Sequence, residues 1–169
     1  DVGYVNRYKS TTTNELNSLS HYFIDIDHNL KLDNYNHSNL QLSLKKVSND
    51  TYLKVFDQHM TKSSLKPEDS NNLNSNLKLF LNHDEFNFES GIQSFEDLQI
   101  KNKSDRYQYN LPYYNFDKLI SQNYFEGNII FNSNGNNYLS DTNKLETNIT
   151  NNFIYNSLDY ISNFGLKNN

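Results

Sequence analysis

A chain of 169 residues with a formal net charge of −5 and only two arginines, Arg7 and Arg106, lacks the clustered cations that a phosphate backbone demands, which argues against nucleic acid as a partner. The absence of cysteine removes disulfides, thiolate nucleophiles and cysteine-held metals, while 13 tyrosines and 11 phenylalanines against 5 glycines and 2 prolines are too many large apolar groups for a disordered tract. The longest apolar runs are three or four residues, as at Ile129-Ile130-Phe131, far short of the roughly 20 that a spanning helix needs; a spanning strand needs only about 9–11 alternating residues and tolerates a mean hydropathy of −0.87.

Along the chain the decisive rhythm is period two. From Tyr22 to Leu32 the apolar positions Tyr22, Ile24, Ile26, Leu30 and Leu32 alternate with Asp25, Asp27, Asn29 and Lys31, and only Phe23 and His28 break the pattern. A turn-like stretch, Asp33 to Ser38, leads to Leu40, Leu42 and Leu44 alternating with Gln41, Ser43 and Lys45, which predicts a second strand paired with the first. Segment 62–76, rich in Asn, Ser and Asp, reads as a loop. Leu77, Leu79 and Leu81, then Phe86, Phe88 and Ser90, predict a hairpin with His83-Asp84 at its tip. Arg106–Leu111, Phe125–Phe131 and Thr147–Tyr155 predict further strands, with a loop over Ser133–Lys144 and a hairpin turn at Asn134-Gly135-Asn136. About nine strand candidates and no long amphipathic helix make an all-β, antiparallel, up-and-down sheet, closed as a barrel or packed as a sandwich. The aromatic run Leu111-Pro112-Tyr113-Tyr114-Asn115-Phe116 is placed at a strand end, where it suits the interfacial girdle of a membrane barrel.

No catalytic constellation emerges. The five histidines never reach a metal-ligand spacing, and His83-Asp84-Glu85 falls in a predicted turn. Asp25 and Asp27 lie about 7 Å apart along one strand face, but alternation puts them on the wet face, where acidic side chains need no special role. No cofactor is implied. Four Asn-x-Ser/Thr triplets, at Asn36, Asn49, Asn102 and Asn148, are what chance yields in a chain so rich in both residues.

Three stretches carry a resemblance to a family. Lys46 to Asp57 (KVSNDTYLKVFD) is similar to a segment in which a strand of the LptD, or organic-solvent-tolerance, family ends. Gly91 to Asn115, reading GIQSFEDLQI and then RYQYNLPYYN, resembles that family's passage into a Y-x-x-L-P strand start; Asp141 to Glu146 with Phe153-Ile154-Tyr155 resembles its next loop and strand. The matches keep the family's order from about Tyr22 to Asn169. The resemblance implies a section of a transmembrane β-barrel, residues 1–169 forming a partial barrel domain of a longer chain that begins before Asp1, in the outer membrane of a Gram-negative bacterium. It also implies lipopolysaccharide assembly, not an enzymatic reaction, with lipopolysaccharide, outer-membrane lipids, a plug lipoprotein of the LptE type and a periplasmic bridge protein as partners. The strand alternation then puts Asp25, Asp27, Asn29 and Lys31 toward the lumen. A rival reading of the same pattern is a soluble cell-surface β-sandwich that binds carbohydrate or a protein partner.

Overall fold

The computed structural model describes residues 1–9, 16–101, 105–121, 127–141, 143–157, 160–161 and 167–168. Eight strands form one antiparallel sheet in simple up-and-down order, each bonded only to its neighbours in sequence: β1 (Val2–Lys9), β2 (Leu16–Asn29), β3 (His37–Val47), β4 (Asn72–Asn82), β5 (Phe86–Asp97), β6 (Tyr107–Ser121), β7 (Gly127–Ser140) and β8 (Lys144–Ser157). The fold is all-β and antiparallel. Between β3 and β4 lie a single helical turn, α1 (Tyr52–Val55), and a 3-10 turn, Asp57–Met60; two-residue strands β9 (Tyr160–Ile161) and β10 (Lys167–Asn168) pair apart from the main sheet.

Connections 30–36 and 83–85 define one end of the sheet, the turn end; connection 48–71 lies at the other, the loop end. At the loop end α1 and the 3-10 turn fold over one face and build the buried core: Tyr52, Leu53 and Met60 pack on Leu19, Phe23 and Val47, with Leu73 and Leu98 alongside. Phe23, fully buried, breaks the alternation of β2 because it points into this core, on the face it shares with Asp25 and Asp27. Burying a phenylalanine is worth about 1.5–3 kcal/mol. His21, next to it, stacks on Phe23 at 4.5 Å and hydrogen-bonds the Tyr52 hydroxyl at 3.0 Å, so the cap is tied to β2 by a polar contact as well.

Several sequence expectations are corrected here. Asn134-Gly135-Asn136 is not a turn: it lies inside β7, and most of the loop expected over Ser133–Lys144 is strand. The segment is paired on both sides, with β6 and with β8, and its glycine fits a close approach across the sheet. A Cβ on Gly135 would lie 2.4 Å from the Tyr114 ring, which crosses the glycine on the neighbouring strand. On the opposite face a Cβ on Gly91 would lie 2.5 Å from the Leu77 carbonyl oxygen and 3.0 Å from the Tyr113 ring. The aromatic run 111–116 is accordingly in the middle of β6, not at a strand end. Segment 62–76 ends as strand from Asn72, and β2 stops at Asn29, so Leu30, Lys31 and Leu32 belong to the turn, where Lys31 takes a φ of 51°. Phe125 and Glu126, expected to open a strand, Thr142 of the third family-like stretch, and the triplet at Asn102 lie outside the described residues.

Candidate functional site

Pleating separates the side chains onto two faces, and the register determines which residues share one. On the first face the rows run Asn29, Asn39, Phe80, Glu89, Asn115, Asn134, Thr150; then Asp27, Gln41, Lys78, Gly91, Tyr113, Asn136, Asn148; then Asp25, Ser43, Asn76, Gln93, Asn110, Tyr138, Glu146. These three central rows are polar apart from Phe80; the same face turns apolar toward the turn end, at Leu119, Ile130 and Ile154, and toward the loop end, at Phe95 and at Leu19, Phe23 and Val47 under the cap. Gln41 donates to Asp27 at 3.1 Å, Ser43 donates to Asp25 at 2.6 Å, and the Tyr113 hydroxyl donates to Glu89 at 3.1 Å. Among the described side chains its carboxylates are Asp25, Asp27, Glu89, Asp97, Asp117 and Glu146 against Lys45, Lys78 and Lys144, a balance that repels anions.

Four amide oxygens on this face, Oδ1 of Asn39, Asn110, Asn132 and Asn136, are buried without a hydrogen-bond partner. A buried carbonyl left unpaired costs about 1–3 kcal/mol, so each is a standing invitation to a hydroxyl or amide donor. They line three clefts of about 250, 270 and 300 Å³ that also expose Glu89, Asn115 and Asn134. The arrangement suits polyhydroxyl ligands held by several weak hydrogen bonds. Of the residues singled out from sequence, Asp25, Asp27 and Asn29 lie on this polar face and Lys31 lies beyond the strand in the turn.

No protein-family model, no curated protein and no solved structure matches this chain. What the chain does must therefore be argued from its own surfaces.

The second face is the reverse of the first. Its middle rows are largely aliphatic: Ile24 and Leu44; Ile26, Leu42, Leu77 and Ile92; and Leu40 and Leu79, whose row also carries His28, Ser90 and Tyr114. Aromatics flank them at both ends. Toward the turn end, Phe86, Phe116, Phe131 and Phe153 form a chain of ring contacts with centroids 4.7 to 6.2 Å apart, and Tyr155 lies beyond; toward the loop end stand Tyr4, Tyr22, Tyr107 and Tyr109. Among the described side chains, the charges that register puts on this face are Lys46 and Glu96 at the loop end and Lys118 at the turn end. Phe153 is 72% exposed, as are more than half of Leu145 and Ile149.

Lys46 and Glu96 belong to a network that sequence reading missed. Glu96, almost fully buried, accepts from Lys46 Nζ at 2.9 Å, Arg106 Nε at 2.8 Å and the Tyr107 hydroxyl at 2.9 Å, while Arg106 also grips Asp50 at the start of the cap. Asp50 to Arg106 is 56 positions in sequence, and no local pattern signals such a pairing. Burial pulls the Arg106 guanidinium pKa down, but Asp50 and Glu96 together more than offset it and hold it above its ordinary value. Among the described residues no group of three His, Cys, Asp or Glu is placed to hold a metal ion, and no helix is long and apolar enough to cross a membrane.

Proposed function

We propose that this sheet is part of the wall of an outer-membrane β-barrel of the LptD type, through which lipopolysaccharide passes to the cell surface. One observation supports the reading most: the apolar face is banded, with a largely aliphatic belt, broken at His28, Ser90 and Tyr114, between aromatic clusters toward its two ends, and with its described charges at the rims. That order matches the hydrocarbon core and two interfaces of a bilayer, which a packed protein interior does not impose. The polar face is then the lumen. Saccharide hydroxyls meet the unpaired amides of Asn39, Asn110, Asn132 and Asn136, and the acidic balance of the wall keeps phosphorylated sugars moving rather than bound. Acyl chains leave sideways into the outer leaflet, and a plug lipoprotein and a periplasmic bridge complete the route as partners.

A second reading, a soluble surface module binding glycan on the clefted polar face, draws on the same unpaired amides. Cysteine scanning separates the two, because the chain has no cysteine of its own. Single cysteines at 40 to 44 in β3, probed in intact outer membranes, are expected to react with a water-soluble maleimide at 41 and 43 and to be protected at 40, 42 and 44. Uniform labelling, or recovery of the protein in the aqueous fraction without detergent, would favour the soluble module; depletion of the protein without loss of surface lipopolysaccharide would refute the transport role.

A further inference from the structure

Along the apolar face a groove of about 300 Å³ runs between β3 and β6, walled by Leu42, Leu44, Leu77, Ile92, Tyr109 and Leu111. It coincides with an irregularity of register: between Gly91 and Gln93 on β5 there is one residue, Ile92, while the facing positions Tyr113 and Asn110 on β6 enclose two, Leu111 and Pro112. A bulge of this kind bends the strand that carries it, and the groove lies beside Ile92 and Leu111 at this point.

Beyond the loop end of the groove, past Tyr109 and Tyr107, stands the Lys46 ammonium, already paired with Glu96. Tyr109 stacks on Tyr107 with centroids 6.2 Å apart; the Tyr107 ring lies 5.2 Å from the Lys46 ammonium, and its hydroxyl accepts from that ammonium at 2.9 Å. An ammonium has three N–H bonds, and Glu96 and Tyr107 account for two of them. The Lys46 side chain is half exposed.

We infer that this groove holds one acyl chain of an anionic glycerophospholipid, with the headgroup phosphate on the third N–H of Lys46. The inference rests on the membrane reading of the apolar face. An extended peptide is disfavoured because β3, β4, β5 and β6 are all interior strands, bonded on both sides, so its backbone groups would find no partners there; a hydrocarbon chain has none to satisfy. The pairing of an apolar trough with a single tethered cation also fits one charged head on one chain.

The test is native mass spectrometry of the whole protein released from detergent micelles holding equal amounts of phosphatidylglycerol and phosphatidylcholine. Wild type is expected to retain one phosphatidylglycerol. Ser94→Phe, which fills the trough beside Tyr109, and Ile92→Trp as a second filling variant, are expected to lower that occupancy about tenfold. Lys46→Gln is expected to keep a lipid but lose the preference between headgroups. Unchanged retention in both filling variants that keep their β-sheet circular dichroism, unchanged headgroup preference in Lys46→Gln, retention of lipid A in place of phospholipid, or a bound peptide would each overturn the proposal. A protein that stays in water without detergent sinks the barrel reading itself, whereas a membrane-embedded protein that retains no lipid sinks this inference alone.

Discussion

Residues 41 and 42 of β3 are adjacent in sequence and opposite in environment, which makes them a sharp probe. Leu42 sits in the middle aliphatic row between Ile26 and Leu77; Gln41 lies on the polar face, where its amide donates to Asp27. If the aliphatic belt faces hydrocarbon, Leu42→Arg places a guanidinium near mid-bilayer and costs roughly 2–4 kcal/mol, or about 30- to 1,000-fold in the folding equilibrium. Gln41→Arg puts the same group beside the Asp27 carboxylate in water, an exposed pair worth about 0–1 kcal/mol in favour. Leu44→Arg, about 6.6 Å nearer the rim at 3.3 Å per residue, is expected to fall between the two, since four residues beyond Leu42 the chain already carries Lys46. The assay is guanidinium unfolding from phosphatidylcholine vesicles, followed by far-UV circular dichroism, with the midpoint and slope compared across the three variants. Equal penalties for Leu42→Arg and Gln41→Arg would refute the reasoning, because a face that tolerates arginine equally with the polar one is not in lipid.

Other expectations come from packing and charge. Gly135→Ala drives a methyl to 2.4 Å from the Tyr114 ring and is expected to cost about 1–3 kcal/mol, with most of that loss removed in the double variant carrying Tyr114→Ala, as a double-mutant cycle will show. Phe23→Ala empties the centre of the core under the cap and is expected to cost about 3–5 kcal/mol by the same unfolding measurement. Arg106→Gln takes a cation from buried Glu96 and releases Asp50; a loss of about 1.5–3 kcal/mol and faster proteolysis within 48–71 are expected, and unchanged cleavage would show that the cap is held by its apolar contacts alone. The Asp69 carboxylate is held below its ordinary range, first by the Asn71 backbone N–H and then by the Asn72 amide. Because its folded pKa is lowered, its contribution is present above the ordinary aspartate value and is lost as pH falls through the folded one; Asp69→Asn is expected to flatten the acid limb of a stability-against-pH curve.

How far the sequence reached depends on which interactions are local. Period two is a property of neighbours along the chain, so the strands around Ile24, Leu42, Leu79, Phe88 and Ile154, the tip at His83-Asp84 and the all-β meander were legible. What was not legible depends on residues on different strands. Asn134-Gly135-Asn136 has the composition of a turn, yet it is paired on both sides, with Tyr113–Asn115 and with Asn148–Thr150, and Tyr114 lying across the glycine leaves no room for a side chain at 135. Phe23 looked like an interruption until the cap that covers it was in place. The four buried asparagine oxygens stayed hidden because asparagine is so abundant here that single occurrences say little, and the Lys46, Glu96, Arg106 and Asp50 network joins segments too far apart for any window to connect.

The strict up-and-down order has an architectural consequence. Since β1 through β8 each pair only with strands adjacent in sequence, a hairpin is a self-contained module whose insertion or loss disturbs no register except at its own two seams. Each added pair widens the sheet by roughly 9.5 Å at 4.7–4.9 Å per strand and leaves both faces in phase. Such a design lets the breadth of the surface change in steps over evolutionary time, with polarity on either side carried along automatically by the alternation within every new strand.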